Sequence, residues 1–304
     1  MKREKTKVFK PSGRSSSERR KRVVPMSFQL AGMALNGISL IRNEWAAGVL
    51  SRLWFTVFKT GRKPWVDEFW QQADYSFDIE IENQSVPIYS WGQGKLVVCM
   101  HGWSGSGTQF RHFIPPLVAD GFQVVCFDAP AHGSHPGKQA HMLQFSACLF
   151  AIQQKLGHID TLVAHSLGAM AAVHSTNEGL EVNRAVLVAP HLNVVEMFET
   201  YRQLLNMRPQ LANRFRQKIG DAMRDLLDGR DPWEIMLPSR LLGELELPGM
   251  LVYDHEDEEI GEWQFEEVIE HWQGCATFTT RGQGHNQILK DLPVVDAVRK
   301  YLSA

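Results

Sequence analysis

No two cysteines stand close enough in this chain to form a CxxC pair or a metal-ligand cluster. The four, Cys99, Cys126, Cys148 and Cys275, are scattered, which excludes a disulfide-dense secreted scaffold and makes a reducing compartment, the cytoplasm, the simpler setting. Nor is there a surplus of charge: a net charge of −2 over 304 residues leaves no global field to gather nucleic acid. Long apolar runs are also missing. The strongest candidate, Met26 to Ile41, is sixteen residues without a charge, short of the ~20 apolar residues that a spanning helix needs, and it includes Ser27, Gln29, Asn36 and Ser39. No small-x-small cleavage site followed by a polar mature start is clear after it, and no internal repeat is present. Charge of one sign is locally absent instead. Residues 241 to 280 contain acids and not one Lys or Arg, whereas residues 1 to 22 carry ten Lys/Arg against Glu4 and Glu18.

Residues 1 to 25, with Gly13, Ser15 to Ser17 and the run Arg19 to Arg22, hold too little apolar surface to fold and read as a disordered basic tail. Beyond Met26, the residues Ile38, Ile41, Trp45, Val49, Trp54 and Val57 recur at helical spacing with Arg42, Glu44 and Arg52 between them. Residues 26 to 63 are thus expected to be an amphipathic helical segment. It packs on the core domain in one reading; in the other it makes peripheral membrane contact beside the basic tail.

A different rhythm follows. Phe77, Ile79 and Ile81 alternate with acids, and Val86 to Trp91 comes after a turn at Asn83-Gln84-Ser85, which predicts a hairpin. Leu96 to Met100 and Val124 to Phe127 are continuous apolar runs, as strands buried on both faces are. From there to Pro190 strands alternate with helical patterns: helix over 140 to 156, strand over 161 to 164, helix over 167 to 177, strand over 185 to 189. This predicts an α/β fold with a mostly parallel sheet of about eight strands and helices on both faces. The rhythm stops over residues 191 to 246, a helical cap insertion rich in Arg, Leu and Met, and resumes with strands at 250 to 253 and 276 to 280 and a closing helix. The core is accordingly residues 64 to 190 and 247 to 304.

The stretch that organises the rest is Thr161 to Met170. An apolar run ends at Ser166, flanked two residues either side by Ala164 and Gly168, and a small-residue helical pattern begins at once. Strand, tight turn and helix hold a serine hydroxyl clear of the sheet, and the flanking residues must be small because strand and helix pass close beside it. Here the sequence resembles the α/β-hydrolase fold family, whose elbow reads Gly-x-Ser-x-Gly; alanine stands at the first glycine. Four more stretches are similar to the family in its order. His101-Gly102-Trp103 is like the loop that offers backbone N–H groups to an oxyanion, implying that the amides of Trp103 and Leu167 form that hole. Asp128 to Ser134 resembles a structural loop, with Ala131 in place of a glycine, so Asp128 and His132 are not catalytic candidates; His101 is read as a turn histidine. Asp257, a few residues past a strand, and His285, in Gly282-Gln283-Gly284-His285, match the family's acid and histidine.

The resemblance implies a catalytic triad of Ser166, His285 and Asp257, no metal and no cofactor. Serine is a poor nucleophile unless an imidazole takes its proton, and an acid must orient that imidazole. The implied activity is serine hydrolysis of a small-molecule acyl ester or thioester. Two alternatives stand beside it: cleavage of a carbon–carbon or amide bond with the same residues, and a non-catalytic interaction protein on a hydrolase fold. A metal site at His255 and His271 is the less favoured reading of the acidic stretch. Asp254, still at the strand end, is expected to be the wrong acid, and the neighbouring glutamates are expected on the solvent side.

Overall fold

The computed structural model describes residues 26–59, 61, 63–243 and 245–304; the expected basic tail lies outside them. Two compact units form.

The larger unit spans residues 57–192 and 241–304. After α2 (Trp65–Gln71), strands β1 (Tyr75–Ile81) and β2 (Gln84–Trp91) make the expected antiparallel hairpin. The sheet continues with β3 (Lys95–Met100), β4 (Phe122–Phe127), β5 (Ile159–His165), β6 (Val182–Val188), β7 (Gly249–Asp254) and β8 (Ala276–Thr280). Its order is β1-β2-β4-β3-β5-β6-β7-β8, and every pairing from β4 to β8 is parallel. Every residue of β5 and of β7 is buried, and their centres, Leu162 to Ala164 and Met250 to Val252, are apolar on both faces.

Alternate residues along the strands face opposite ways. Val97, Cys99, Val163, Val186 and Val252 join one core with α3 (Ile114–Ala119) and α12 (Leu292–Ser303). On the other face α4 (Met142–Leu156) and α5 (Leu167–Asn177) pack on each other and on the strands. β3 lies between β4 and β5, so the chain leaves it first to one side and later to the other. In open sheets of this kind ligands bind beyond the carboxyl ends of the strands at such a switch.

The smaller unit comprises residues 26–56 and 193–240. Its helices are α1 (Met26–Trp54), α6 (Val194–Leu204), α7 (Pro209–Arg224), α8 (Pro232–Ile235) and α9 (Pro238–Leu241). α1 is two helical pieces meeting at Arg42, whose φ of −133° and ψ of 62° interrupt the helix. It packs along α7, with Glu44 paired to Arg214 and to Lys218. Asn36 accepts from the Arg208 amide and donates to the Asn206 carbonyl, both at 2.9 Å. Trp54, Phe198, Tyr201, Phe215 and Trp233 form an aromatic core with ring separations of 5.4 to 5.9 Å. The acidic helix α10 (Glu262–His271) and the short α11 (Gly284–Gln287) complete the larger unit.

Candidate active site

β5 delivers Ser166 to the carboxyl end of the sheet, and α5 starts at the next residue. Ser166 sits at φ 53° and ψ −123°, in a conformation that costs a non-glycine residue about 1–3 kcal/mol and that the surrounding packing must hold. Ala164 stays in regular strand, paired with Met100 and Leu187, so a methyl group there meets no backbone penalty. Gly168 has no such freedom. A Cβ on it would lie 2.3 Å from the His101 carbonyl oxygen, and one on Gly102 would lie 2.8 Å from the Ser166 Cβ. The loop after β3 is therefore locked against the elbow. Leu167, as the first residue of α5, has an amide without an i−4 partner inside the helix.

The structure brings Ser166, His285 and Asp257 together. His285 Nδ1–H donates to Asp257 Oδ2 at 2.8 Å, and its Nε2 accepts from Ser166 Oγ at 2.9 Å. The Asp257 side chain is fully buried, and its other oxygen accepts from the amides of Glu259 and Ile260 at 2.8 and 2.9 Å. One oxygen is thus pinned by its own loop while the other is aimed at the imidazole. The glutamates at 256, 258, 259 and 262 are exposed, as expected, but Glu259 also brings a carboxylate oxygen to 3.8 Å from His285 Nε2.

Asp254 does something else. Its Oδ1 accepts from the amides of Glu256 and Gly282, and its Oδ2 from Thr280 Oγ1 at 2.6 Å and the Gln283 amide at 2.9 Å. One carboxylate therefore joins the loop after β7 to the loop after β8. Burial pushes its pKa up, but the hydrogen bonds from Thr280, Gln283 and Glu256 outweigh this and hold it below the ordinary aspartate value.

Other polar groups brace the loops around the serine. His101 Nδ1–H donates to the Gly102 carbonyl at 2.8 Å, and Nε2 accepts from the Ala129 amide at 3.0 Å, so the ring ties the loop after β3 to the loop after β4. Burial lowers its pKa, which keeps it neutral as that pattern requires. Asp128 accepts from Ser106 Oγ, the Gly107 amide and the Ser134 amide. His132 packs among His101, Trp103 and Phe145, with its pKa lowered to about 3 by burial first and by His101 next. Ala131 takes φ 65°, the left-handed conformation that a glycine would hold more easily. His255 pairs with Glu262 at 2.6 Å, and among the described residues no group of three His, Cys, Asp or Glu is placed to hold a metal ion.

Two residues near the serine carry no sequence signal of their own. His165, buried beside Ser166, donates from Nε2 to the backbone carbonyl of His285 at 2.9 Å. Burial, and then the charge of His285, lowers its pKa to about 3. The His191 amide donates to the Ser166 carbonyl at 3.2 Å, and its ring lies within electrostatic reach of His285 and Asp257.

A hydroxyl, an imidazole and a buried carboxylate in this order can move a proton off oxygen as that oxygen forms a bond. The fold has counterparts among solved structures. An enzyme described as degrading N-acyl homoserine lactones has a TM-score of 0.57 and 16% identity over 74% of this chain and 100% of its own. The thioesterase domain from the curacin biosynthetic pathway has a TM-score of 0.54 and 18% identity, over 76% of this chain and 99% of its own. An esterase from Exiguobacterium antarcticum has a TM-score of 0.54 and 15% identity, over 76% and 100%. No curated protein matches the chain. The family model of the alpha/beta hydrolase family, however, matches residues 97–297, from β3 into α12. The chain belongs to the alpha/beta hydrolase family.

Proposed function

We propose that this protein is a serine hydrolase that cleaves an acyl ester or thioester through an acyl-enzyme intermediate, with Ser166 as nucleophile, His285 as general base and acid, and Asp257 as orienting acid. The observation that carries the reading is the unbroken run of hydrogen bonds from Asp257 through His285 to Ser166, at 2.8 and 2.9 Å. Ser166 Oγ attacks the acyl carbon and its proton passes to His285 Nε2. The amides of Trp103 and Leu167 hold the oxygen that becomes negative, a pair of contacts each worth ~3 kcal/mol in comparable sites. The carbon–oxygen or carbon–sulfur bond then breaks, and the leaving alcohol or thiol takes the proton from Nε2. Water repeats the sequence on the acyl-serine: it gives a proton to Nε2, releases the acid, and the proton returns to Oγ. Asp257 stabilises the imidazolium formed in each half.

Esters and thioesters are favoured because their leaving groups need little help from the acid, and because the counterparts in fold include an esterase and a thioesterase. A fluorophosphonate probe tests the nucleophile, and a series of p-nitrophenyl esters tests the substrate class. Labelling at Ser166 with turnover of the esters is expected. Folded protein that labels but leaves esters and thioesters intact would shift the reading to amide or carbon–carbon bonds. Absence of labelling would leave an interaction protein on a hydrolase fold.

A further inference from the structure

The first piece of α1 carries an apolar side that nothing among the described residues covers. Between Met26 and Ile41 there is no charged residue. At 100° per residue, Met26, Leu30, Met33, Leu40 and Ile41 fall on one side of the helix. All five are exposed, Met26 by 75%, Leu40 by 65% and Ile41 by 89%. From Gly32 onward the opposite side is occupied within the smaller unit, where Gly32 and Leu35 are buried and Asn36 is held by the backbone at Asn206 and Arg208. A surface helix ordinarily turns charge outward, and a contiguous apolar stripe on its outer side marks a contact surface.

Charge selects the occupant. The residues that precede this stripe in sequence, 1 to 22, carry ten Lys/Arg against two Glu, and at the other end the helix breaks at Arg42. An apolar face bounded by cations matches a bilayer surface with anionic headgroups, since neither signal alone gives firm attachment and the two together do. A second copy of this chain would bring the same excess of positive charge against itself. Sixteen residues extend only about 24 Å, and among the described residues no helix is long and apolar enough to cross a membrane.

We propose that residues 26 to 41 lie in the surface plane of an anionic membrane, with the Met26–Ile41 stripe toward the acyl chains and the basic residues before it against the headgroups. The test is co-sedimentation of the full chain with phosphatidylcholine vesicles, with and without phosphatidylglycerol. Binding to the anionic vesicles is expected, weakened roughly tenfold or more by omitting phosphatidylglycerol or by high salt. The double change Leu30→Glu and Ile41→Glu should weaken it by a similar factor at an unchanged thermal midpoint. Replacing Arg19, Arg20, Lys21 and Arg22 by Gln should remove most of the salt dependence. In case the glutamate variant does not fold, Met33→Cys carrying a polarity-sensitive dye gives a second readout, because the four native cysteines are buried. Its emission should shift to the blue on anionic vesicles. No sedimentation with anionic vesicles, sedimentation undiminished by Leu30→Glu and Ile41→Glu, an unshifted dye, or a dimer that the glutamates dissociate would each overturn the proposal.

Discussion

His165 and His285, 120 residues apart, are joined by one hydrogen bond from the ring of the first to the backbone carbonyl of the second, at 2.9 Å. The residue that precedes the serine thereby fixes the height of the loop carrying the imidazole that faces it. Removing the donor by His165→Phe leaves that carbonyl unpaired. A loss of about 1–2 kcal/mol in positioning is expected, read as a roughly tenfold fall in kcat with little change in KM. His165→Gln keeps a donor and should recover most of the rate; equal losses in both variants would point to ring packing instead.

Ser166→Ala should abolish ester turnover and leave stability within about 1 kcal/mol. The elbow conformation adds a sharper expectation. At φ 53° glycine is less strained than serine, so Ser166→Gly should be inactive yet more stable by about 1 kcal/mol in denaturant unfolding. A destabilised glycine variant would mean that the serine side chain contributes packing that outweighs the strain.

The two aspartates should separate cleanly. Asp257→Asn is expected to lower turnover by about four orders of magnitude, by analogy with loss of the orienting acid in other triads, with a modest change in stability. Asp254→Asn should cost far less turnover but about 2–4 kcal/mol of stability, because several donors lose a charged acceptor. Kinetics and unfolding on both proteins decide the matter, and the reverse ranking in turnover would exchange their roles.

Stability should also fall in mild acid. His132 and His165 are buried with pKa values lowered from 6.5 to about 3. Below pH 6.5 the unfolded chain binds protons that the folded chain refuses, so the stability present above 6.5 is lost progressively as pH falls toward 3. At pH 5 each histidine accounts for up to about 2 kcal/mol. The thermal midpoint is expected to drop between pH 7 and pH 5; a constant midpoint would show that these rings are hydrated.

For the insertion, Phe198 is the informative position. It packs on Phe215 and Trp233, so Phe198→Ala should cost about 3–5 kcal/mol of stability in the smaller unit. A change in acyl chain-length preference at constant stability would instead make this helix a pliable cover.

The parallel sheet was legible because strands buried on both faces have no polar alternation, as in Leu96–Met100 and Val124–Phe127. The order serine, acid, histidine pointed to residues that the fold then places within hydrogen-bond reach. What stayed hidden depends on contacts between distant residues that leave no local pattern. Asp254 looks like any acid at a strand end until Thr280 and Gln283 close on it, and His101 like any turn histidine until the Ala129 amide reaches its ring. Helix α10 escaped notice because its glutamates mask the buried Phe265 and Val268. The apolar spacing over α1 did not tell which side would be covered: Ile38, Ile41 and Trp45 are exposed, while Ala46, Ala47 and Leu50 are buried.

The staple at Asp254 has a bearing on how such a protein can change. The insertion departs at residue 193 and is over by residue 240, before β7 begins at Gly249. Asp254, Asp257 and His285 all come afterwards, whereas Ser166 and His165, which holds the His285 carbonyl, come before. The insertion can therefore change length without altering the sequence spacing from Asp254 to His285, but a foreign segment in its place must still supply what this one gives α1, the partners of Glu44 and Asn36.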